Sequence, residues 1–120
     1  MATKTLTAAN FGEVTEGNDI VLVDFWAEWC GPCRTFAPVF EKASEKHTDI
    51  VFGKVDTEAE QYLAEQFSIR SIPTVMVIRD GVIVYEQPGA LPEAMLESLI
   101  TQVRELDMNE VRKQVGAQSG

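Results

Sequence analysis

Cysteine, histidine and basic residues are all scarce in this 120-residue chain, which has two cysteines, one histidine and ten lysines and arginines together. Two thiolates supply half of a tetrahedral zinc site, and one distant histidine cannot complete it, which argues against a metal site within one chain. The ten bases face 19 acids, so the formal charge is −9. This balance argues against nucleic acid or an anionic membrane as the partner.

Long apolar runs are also missing. No stretch approaches the roughly 20 residues that a transmembrane helix needs. The first residues, MATKTLT, contain no apolar segment of the kind found in a secretory signal. We therefore expect a cytoplasmic protein without membrane contact. Structural disulfides are rare in that reducing compartment, which favours a transient, catalytic use of the two cysteines.

Short apolar runs separated by turn signals predict one α/β domain over residues 1–106, with a C-terminal extension over residues 107–120. Thr7 is the expected N-cap of the first helix, and Tyr62 is expected on the buried face of the third. Asp107 is expected to start a short helix that frays from Gly116. The predicted strands are 4–7, 20–27, 50–55, 74–79 and 82–86, and the main predicted helices are 8–15, 33–47, 58–67 and 92–106.

Both cysteines lie in the stretch 21–38, VLVDFWAEWCGPCRTFAP, where a buried strand gives way to a helix. A sulfur at a helix N-terminus lies near unpaired N–H groups and the positive end of the helix dipole, so the pKa of its thiol falls. Cys30 occupies that position, and we expect it to be the more exposed and more nucleophilic sulfur. Cys33 lies one turn further in. Gly31 gives the backbone freedom there, and Pro32 fixes φ where the helix begins.

Asp24 is the one acid inside the apolar strand that leads to the cysteines. Burial would raise its pKa toward the range that suits general acid–base catalysis, so Asp24 is the candidate acceptor for the proton of Cys33. The alternative is an acid at a strand end that caps a loop.

The order of four features then becomes informative: the buried strand, WCGPC at 29–33, SIPT at 71–74 and the Asp80–Gly81 hairpin turn. With them the chain resembles the thioredoxin family from roughly residue 4 to residue 106. The resemblance implies the thioredoxin fold, a central five-stranded mixed sheet flanked by helices on both faces. It also implies a protein-disulfide reductase without a cofactor of its own, recycled by an NADPH-dependent thioredoxin reductase. We expect the protein to be a monomer.

The resemblance also assigns roles. It implies that Cys30 attacks a disulfide of a client protein and that Cys33 resolves the mixed disulfide. Lys54, on the neighbouring strand, would accompany a buried Asp24, although it could also be a solvated strand residue. Ile72–Pro73 matches the cis-proline loop of the family, against the alternative of an ordinary trans proline. The remaining client-contact surface would comprise Trp29, Gly31, Pro32, Gly89 and Ala90, whereas Trp26 is assigned to the core.

The dipeptide between the cysteines indicates the direction of electron flow. A histidine there stabilises the thiolate in the stronger oxidants of this superfamily, and Gly31–Pro32 offers no such cation. We therefore expect a reductant. Pro88 departs from the usual pattern of the family and stiffens one rim of the client groove.

Two other functions stay open at the level of sequence. The same groove could hold a partner as a processivity or chaperone subunit, with redox turnover incidental. Two C-x-x-C motifs from different subunits could also bridge a metal cluster.

Overall fold

A computed structural model describes residues 2–119, with side chains for residues 2–115. The strands are β1 (Thr3–Thr5), β2 (Ile20–Trp26), β3 (Val51–Asp56), β4 (Thr74–Arg79) and β5 (Val82–Pro88). The helices are α1 (Phe11–Glu16), α2 (Gly31–Lys46), α3 (Gln61–Gln66), α4 (Glu93–Arg104) and α5 (Met108–Ser119).

The five strands form one mixed sheet, as the resemblance implied, and their order in it is β1-β3-β2-β4-β5. Strands β1, β3 and β2 run parallel, whereas β4 is antiparallel to β2 and β5 to β4. The central strand β2 is buried from Ile20 to Phe25, which explains its nearly continuous apolar run. Phe25 pairs with Thr74, and Thr74 pairs with Pro88. The end of β2, the start of β4 and the end of β5 therefore lie side by side, at the same end of the strands.

Helices cover both faces of the sheet. Phe36 and Phe40 of α2 pack with Ile100 of α4 against the face that carries Leu22 and Phe52. The opposite face carries Val21 and Val23, and it packs against α1 and α3. Because side chains alternate along a strand, Asp24 and Lys54 belong to the α2 face together with Leu22 and Phe52.

Two short helices begin later than the sequence predicted. Thr7 is not an N-cap: α1 begins at Phe11, after a turn in which the Asn10 side chain accepts the N–H of Thr7. The Asp56 carboxylate accepts the N–H groups of Glu58 and Ala59 and so caps a turn that precedes α3. Both turns use side chains that hydrogen-bond the local backbone in competition with a helix.

The third helix also shows a burial error. Tyr62 was expected on its buried face but is 64% exposed, whereas Leu63 is buried and Phe67 is half-buried. A helix of six residues turns few side chains toward the core, and Leu63 is the one residue of α3 that is buried.

The extension after α4 folds back on the domain. Asp107 accepts the N–H groups of Asn109 and Glu110, so the predicted helix start is confirmed. Met108 is buried, and Arg112 pairs with Asp80 of the hairpin turn at 3.5 Å. The backbone of α5 continues to Ser119, past the residue from which we expected fraying; residue 120 lies outside the described part.

Gly53 of β3 faces Leu6, which is fully buried, and a Cβ at this position would lie 2.7 Å from Leu6 Cγ. We expect Gly53→Ala to lower the free energy of unfolding by about 1–3 kcal/mol, because an extra methyl group overpacks a filled core. Urea denaturation measures this change. Gly12→Ala is the matched control, since a Cβ at Gly12 meets nothing within 4 Å. Equal effects of the two substitutions would contradict the steric argument.

Candidate active site

The two cysteines lie at the junction of β2 and α2. Cys30 is the N-cap of α2, and its Sγ accepts the N–H of Cys33 at 3.2 Å. Gly31 and Pro32 are the first two helical residues, where the missing N–H of proline leaves no helical hydrogen bond unmade. Cys30 and Cys33 form a disulfide with Cα atoms 5.2 Å apart. The sulfur of Cys30 therefore lies where the dipole of a 16-residue helix favours negative charge.

The two cysteines hardly differ in solvent exposure. Cys30 is 4% exposed and Cys33 is 3% exposed in the disulfide form, so the predicted difference between them is marginal. What distinguishes Cys30 is its position as the capping residue of the helix.

The loop that precedes β4 and the loop that follows β5 border the disulfide. The Ile72–Pro73 peptide bond is cis, as the resemblance implied, and the Ile72 carbonyl oxygen lies 3.7 Å from Cys30 Sγ. Gly89 donates its N–H to the Pro73 carbonyl at 2.7 Å. The φ angle of Gly89 is +108°, a conformation that favours glycine. These contacts hold residues 72–73 and 89 beside the disulfide.

The predicted contact residues form an exposed rim around this centre. Trp29 is 65% exposed, and Gly31, Pro32, Gly89 and Ala90 are exposed as well. In contrast, the cysteines themselves pack with Ala27, Trp26 and Ile72. Trp26 is partly buried at this position, which agrees with its assignment to packing.

The indole N–H of Trp29 donates to Glu58 Oε1 at 2.7 Å. Sequence reasoning missed Glu58, although a signal existed. Trp29 follows β2 and Glu58 follows β3, and the carboxyl ends of neighbouring parallel strands lie together. Glu58 therefore fixes the orientation of an otherwise exposed aromatic ring.

Asp24 is fully buried, and neither of its carboxylate oxygens has a hydrogen-bond partner among the described residues. Desolvation raises the pKa of Asp24 to about 7, and the positive charge of Lys54 counteracts part of this shift. The alternative of an acid that caps a loop does not fit this burial. The pKa of Asp24 therefore lies close to neutral pH.

Lys54 lies opposite Asp24 in the β2–β3 register and is half-buried. Its Nζ lies 5.0 Å from the centroid of the Trp26 ring, a cation–π contact. The structure thus brings Lys54 close to Asp24 without an ion pair between them.

A cavity of about 290 Å³ opens beside Cys33 and is lined by Trp26, Ala27, Glu28, Arg34 and Lys54. Arg34 donates to the Glu28 carbonyl oxygen at 2.9 Å and is held at the rim. The cavity gives solvent a route to the side of the disulfide on which Lys54 lies.

The structure of residues 2–119 gives little support to a metal site or a membrane-spanning segment. No group of three histidine, cysteine or acidic side chains in that range could hold a metal ion. The single histidine, His47, caps the opposite end of α2 and contacts Glu97 at 2.8 Å. Within the same range, no helix combines the length and apolar character required to cross a membrane.

Comparison with known proteins agrees with this geometry, since the thioredoxin family model matches residues 2–102. The chain belongs to the thioredoxin family. Together with the Cys30–Cys33 pair, membership makes it a thiol-disulfide oxidoreductase, and specifically a protein-disulfide reductase. Its partners as a family member are therefore disulfide-containing client proteins and a reductase.

Individual thioredoxins match most of the chain. A putative thioredoxin 2 of Streptomyces coelicolor is 58% identical over 117 residues, covering 98% of this chain and 87% of that protein. A thioredoxin of Alicyclobacillus acidocaldarius is 43% identical over 103 residues, covering 85% and 98%. The structure of a mutant thioredoxin from Halobacterium salinarum superposes with a TM-score of 0.81 at 37% identity, covering 88% and 93%. The first alignment leaves out so few residues of this chain that it covers most of α5.

Proposed function

We propose that this protein reduces client disulfides with Cys30 as nucleophile and Cys33 as resolving cysteine, and that an NADPH-dependent thioredoxin reductase restores the dithiol. The observation that carries the assignment is the position of Cys30 as N-cap of α2, with its sulfur accepting the N–H of Cys33. That hydrogen bond and the helix dipole both stabilise a thiolate at Cys30.

The reaction proceeds in two exchanges. The Cys30 thiolate attacks one sulfur of the client disulfide, forms a mixed disulfide and releases the other client sulfur as a thiol after it takes up a proton. Cys33 then loses its proton and attacks Cys30 Sγ, which releases the second client thiol. Two electrons pass from the dithiol to the client, and the Cys30–Cys33 disulfide remains.

Asp24 is proposed to take the proton of Cys33. Its burial on the α2 face of β2 and a pKa of about 7 support this role, because a base is most effective when its pKa lies near the working pH. Lys54, which lies opposite Asp24 in the register, lines the cavity beside Cys33, and water that enters there is proposed to carry the proton past Lys54. Lys54 is proposed to keep the pKa of Asp24 from rising further, since its charge opposes the effect of desolvation.

The client segment is proposed to lie across the exposed rim. Trp29, Gly31 and Pro32 would contact it on one side of the disulfide, and Gly89 and Ala90 on the other. The cis-proline loop, residues 72–73, would offer backbone groups to an extended peptide. We propose that the protein acts as a monomer in the cytoplasm and without a cofactor of its own.

The test is insulin reduction coupled to NADPH oxidation by a bacterial thioredoxin reductase. The parent chain should sustain turnover, and Cys30→Ser should abolish it. Dithiothreitol in place of the reductase is the control that separates the two parts of the proposal. Reduction with dithiothreitol but not with the reductase would overturn the recycling step, whereas full activity of Cys30→Ser would overturn the nucleophile.

A further inference from the structure

A pocket of about 140 Å³ adjoins the proposed client groove on the side of the edge strand β5. Its lining includes Ser71, Thr74 and Pro88. Ser71 and Thr74 flank the cis-proline loop, and Pro88 precedes Gly89, whose N–H is bound to the Pro73 carbonyl. The pocket therefore begins where the groove residues end.

The walls of this pocket are ordered by local hydrogen bonds. Thr74 Oγ1 donates to the Ser71 carbonyl, and the N–H of Ile69 donates to the Ala64 carbonyl at 2.9 Å. Thr74 also pairs with Pro88 across β4 and β5, and Pro88 has a fixed φ. The pocket is thus formed before any client binds.

Arg70 and Glu86 also line the pocket, and both side chains are exposed. Among the described side chains, residues 2–115, neither forms an ion pair or a side-chain hydrogen bond. The four other arginines are all held by protein acceptors: Arg34 by Glu28, Arg79 by carbonyls at the end of α4, Arg104 by Asp49 and Arg112 by Asp80. Among residues 2–115, Arg70 is therefore the one arginine whose guanidinium group has no hydrogen-bond acceptor in the protein.

Two opposite charges beside one pocket select against a charged occupant. A carboxylate would be attracted by Arg70 and repelled by Glu86, and an ammonium group would experience the reverse. A carboxamide satisfies both, because its oxygen accepts from a guanidinium and its NH₂ group donates to a carboxylate.

We propose that this pocket binds an asparagine or glutamine side chain of the client segment, and that Arg70 and Glu86 determine this preference. The inference rests on the proposed function, because it places the client across the cis-proline loop. The selectivity is modest, since charges at exposed positions change affinity by less than about fivefold.

The experiment measures the rate at which the dithiol form of the full chain reduces synthetic peptide disulfides. Each peptide carries one cysteine and exists as a disulfide-linked pair. A single Gln, Glu, Lys or Ala is placed in turn at each position that flanks the cysteine. The proteins are the parent chain, Arg70→Glu, Glu86→Lys and the double variant with both changes. Lys4→Glu and Glu45→Lys are the matched controls, because they make the same charge changes at exposed positions outside the pocket.

At one peptide position, the parent should reduce the Gln peptide about threefold faster than the Glu or Lys peptide. Arg70→Glu should shift the preference there to Lys, and Glu86→Lys should shift it to Glu. The double variant exchanges the two charges and should restore the preference for Gln. The two control variants should keep the parent pattern.

An unchanged order of rates at every position in the pocket variants would overturn this inference. The same holds if the control variants shift the order as strongly, since that would indicate long-range electrostatics. In both cases the Ala peptides should still be reduced through Cys30, so the proposed function would stand. Failure to reduce any peptide would instead overturn the proposed function, and this inference with it.

Discussion

Cys33→Ser is expected to turn the protein from a catalyst into a trap that stays covalently linked to its client. The Cys30 thiolate still forms the mixed disulfide, but no second sulfur remains to attack Cys30 Sγ. Multiple-turnover reduction of insulin should fall below detection. A stable adduct should appear on a non-reducing gel, with the mass of the protein plus one client chain, and it should disappear on addition of dithiothreitol.

The comparison with Cys30→Ser makes this prediction specific. Both cysteines are almost equally buried in the disulfide form, so exposure alone would allow either of them to attack first. The hydrogen bond from the Cys33 N–H to Cys30 Sγ favours a thiolate at Cys30 only. Cys30→Ser should therefore form little adduct. An adduct with Cys30→Ser but not with Cys33→Ser would reverse the two roles.

The sheet was predictable from the sequence because its signals are local and strong. The apolar run of β2 marks a strand buried on both faces, and Asp80–Gly81 marks a two-residue hairpin turn. In the structure both residues of that turn have positive φ, 52° and 78°. The starts of α1 and α3 were wrong because Asn10 and Asp56 cap turns, and a sequence does not show whether such a residue caps a turn or a helix.

The site was predictable only in part. The cysteines, the cis proline and the buried Asp24 lie on segments with a recognisable pattern. The contact between Trp29 and Glu58 and the pocket lined by Arg70 and Glu86 involve residues that are distant along the chain. No local sequence pattern predicts either of them. Docking of α5 likewise depends on the buried Met108 and on the Arg112–Asp80 pair, and Arg112 and Asp80 are distant along the chain.

Asp24→Asn is expected to stabilise the oxidised protein at high pH and to slow the release of clients. Below about pH 3 the carboxyl is protonated in both the folded and the unfolded state, so its ionisation does not change the free energy of unfolding. As the pH rises from 3.8 toward about 7, the unfolded state releases this proton while the folded state keeps it. Stability then falls by about 1.4 kcal/mol per pH unit until the folded carboxyl also ionises.

Asparagine cannot ionise, so Asp24→Asn removes this loss. The gain in the free energy of unfolding should be about 2–3 kcal/mol larger at pH 8 than at pH 5. Urea denaturation of the two oxidised proteins at each pH measures it, and all other ionising groups cancel between the proteins. Equal gains at the two pH values would show that the pKa of Asp24 is not raised by burial.

The kinetic effect separates a role in proton transfer from burial alone. Without a base for Cys33, resolution of the mixed disulfide at pH 7 should slow by about 100-fold, the low end of what general acid–base catalysis contributes. Formation of the mixed disulfide should be unaffected, so the adduct should accumulate transiently in a single-turnover reaction with Asp24→Asn. If the variant gains stability as expected and still releases clients at the parent rate, Asp24 is only a buried acid, and the proton of Cys33 leaves directly to water in the adjoining cavity.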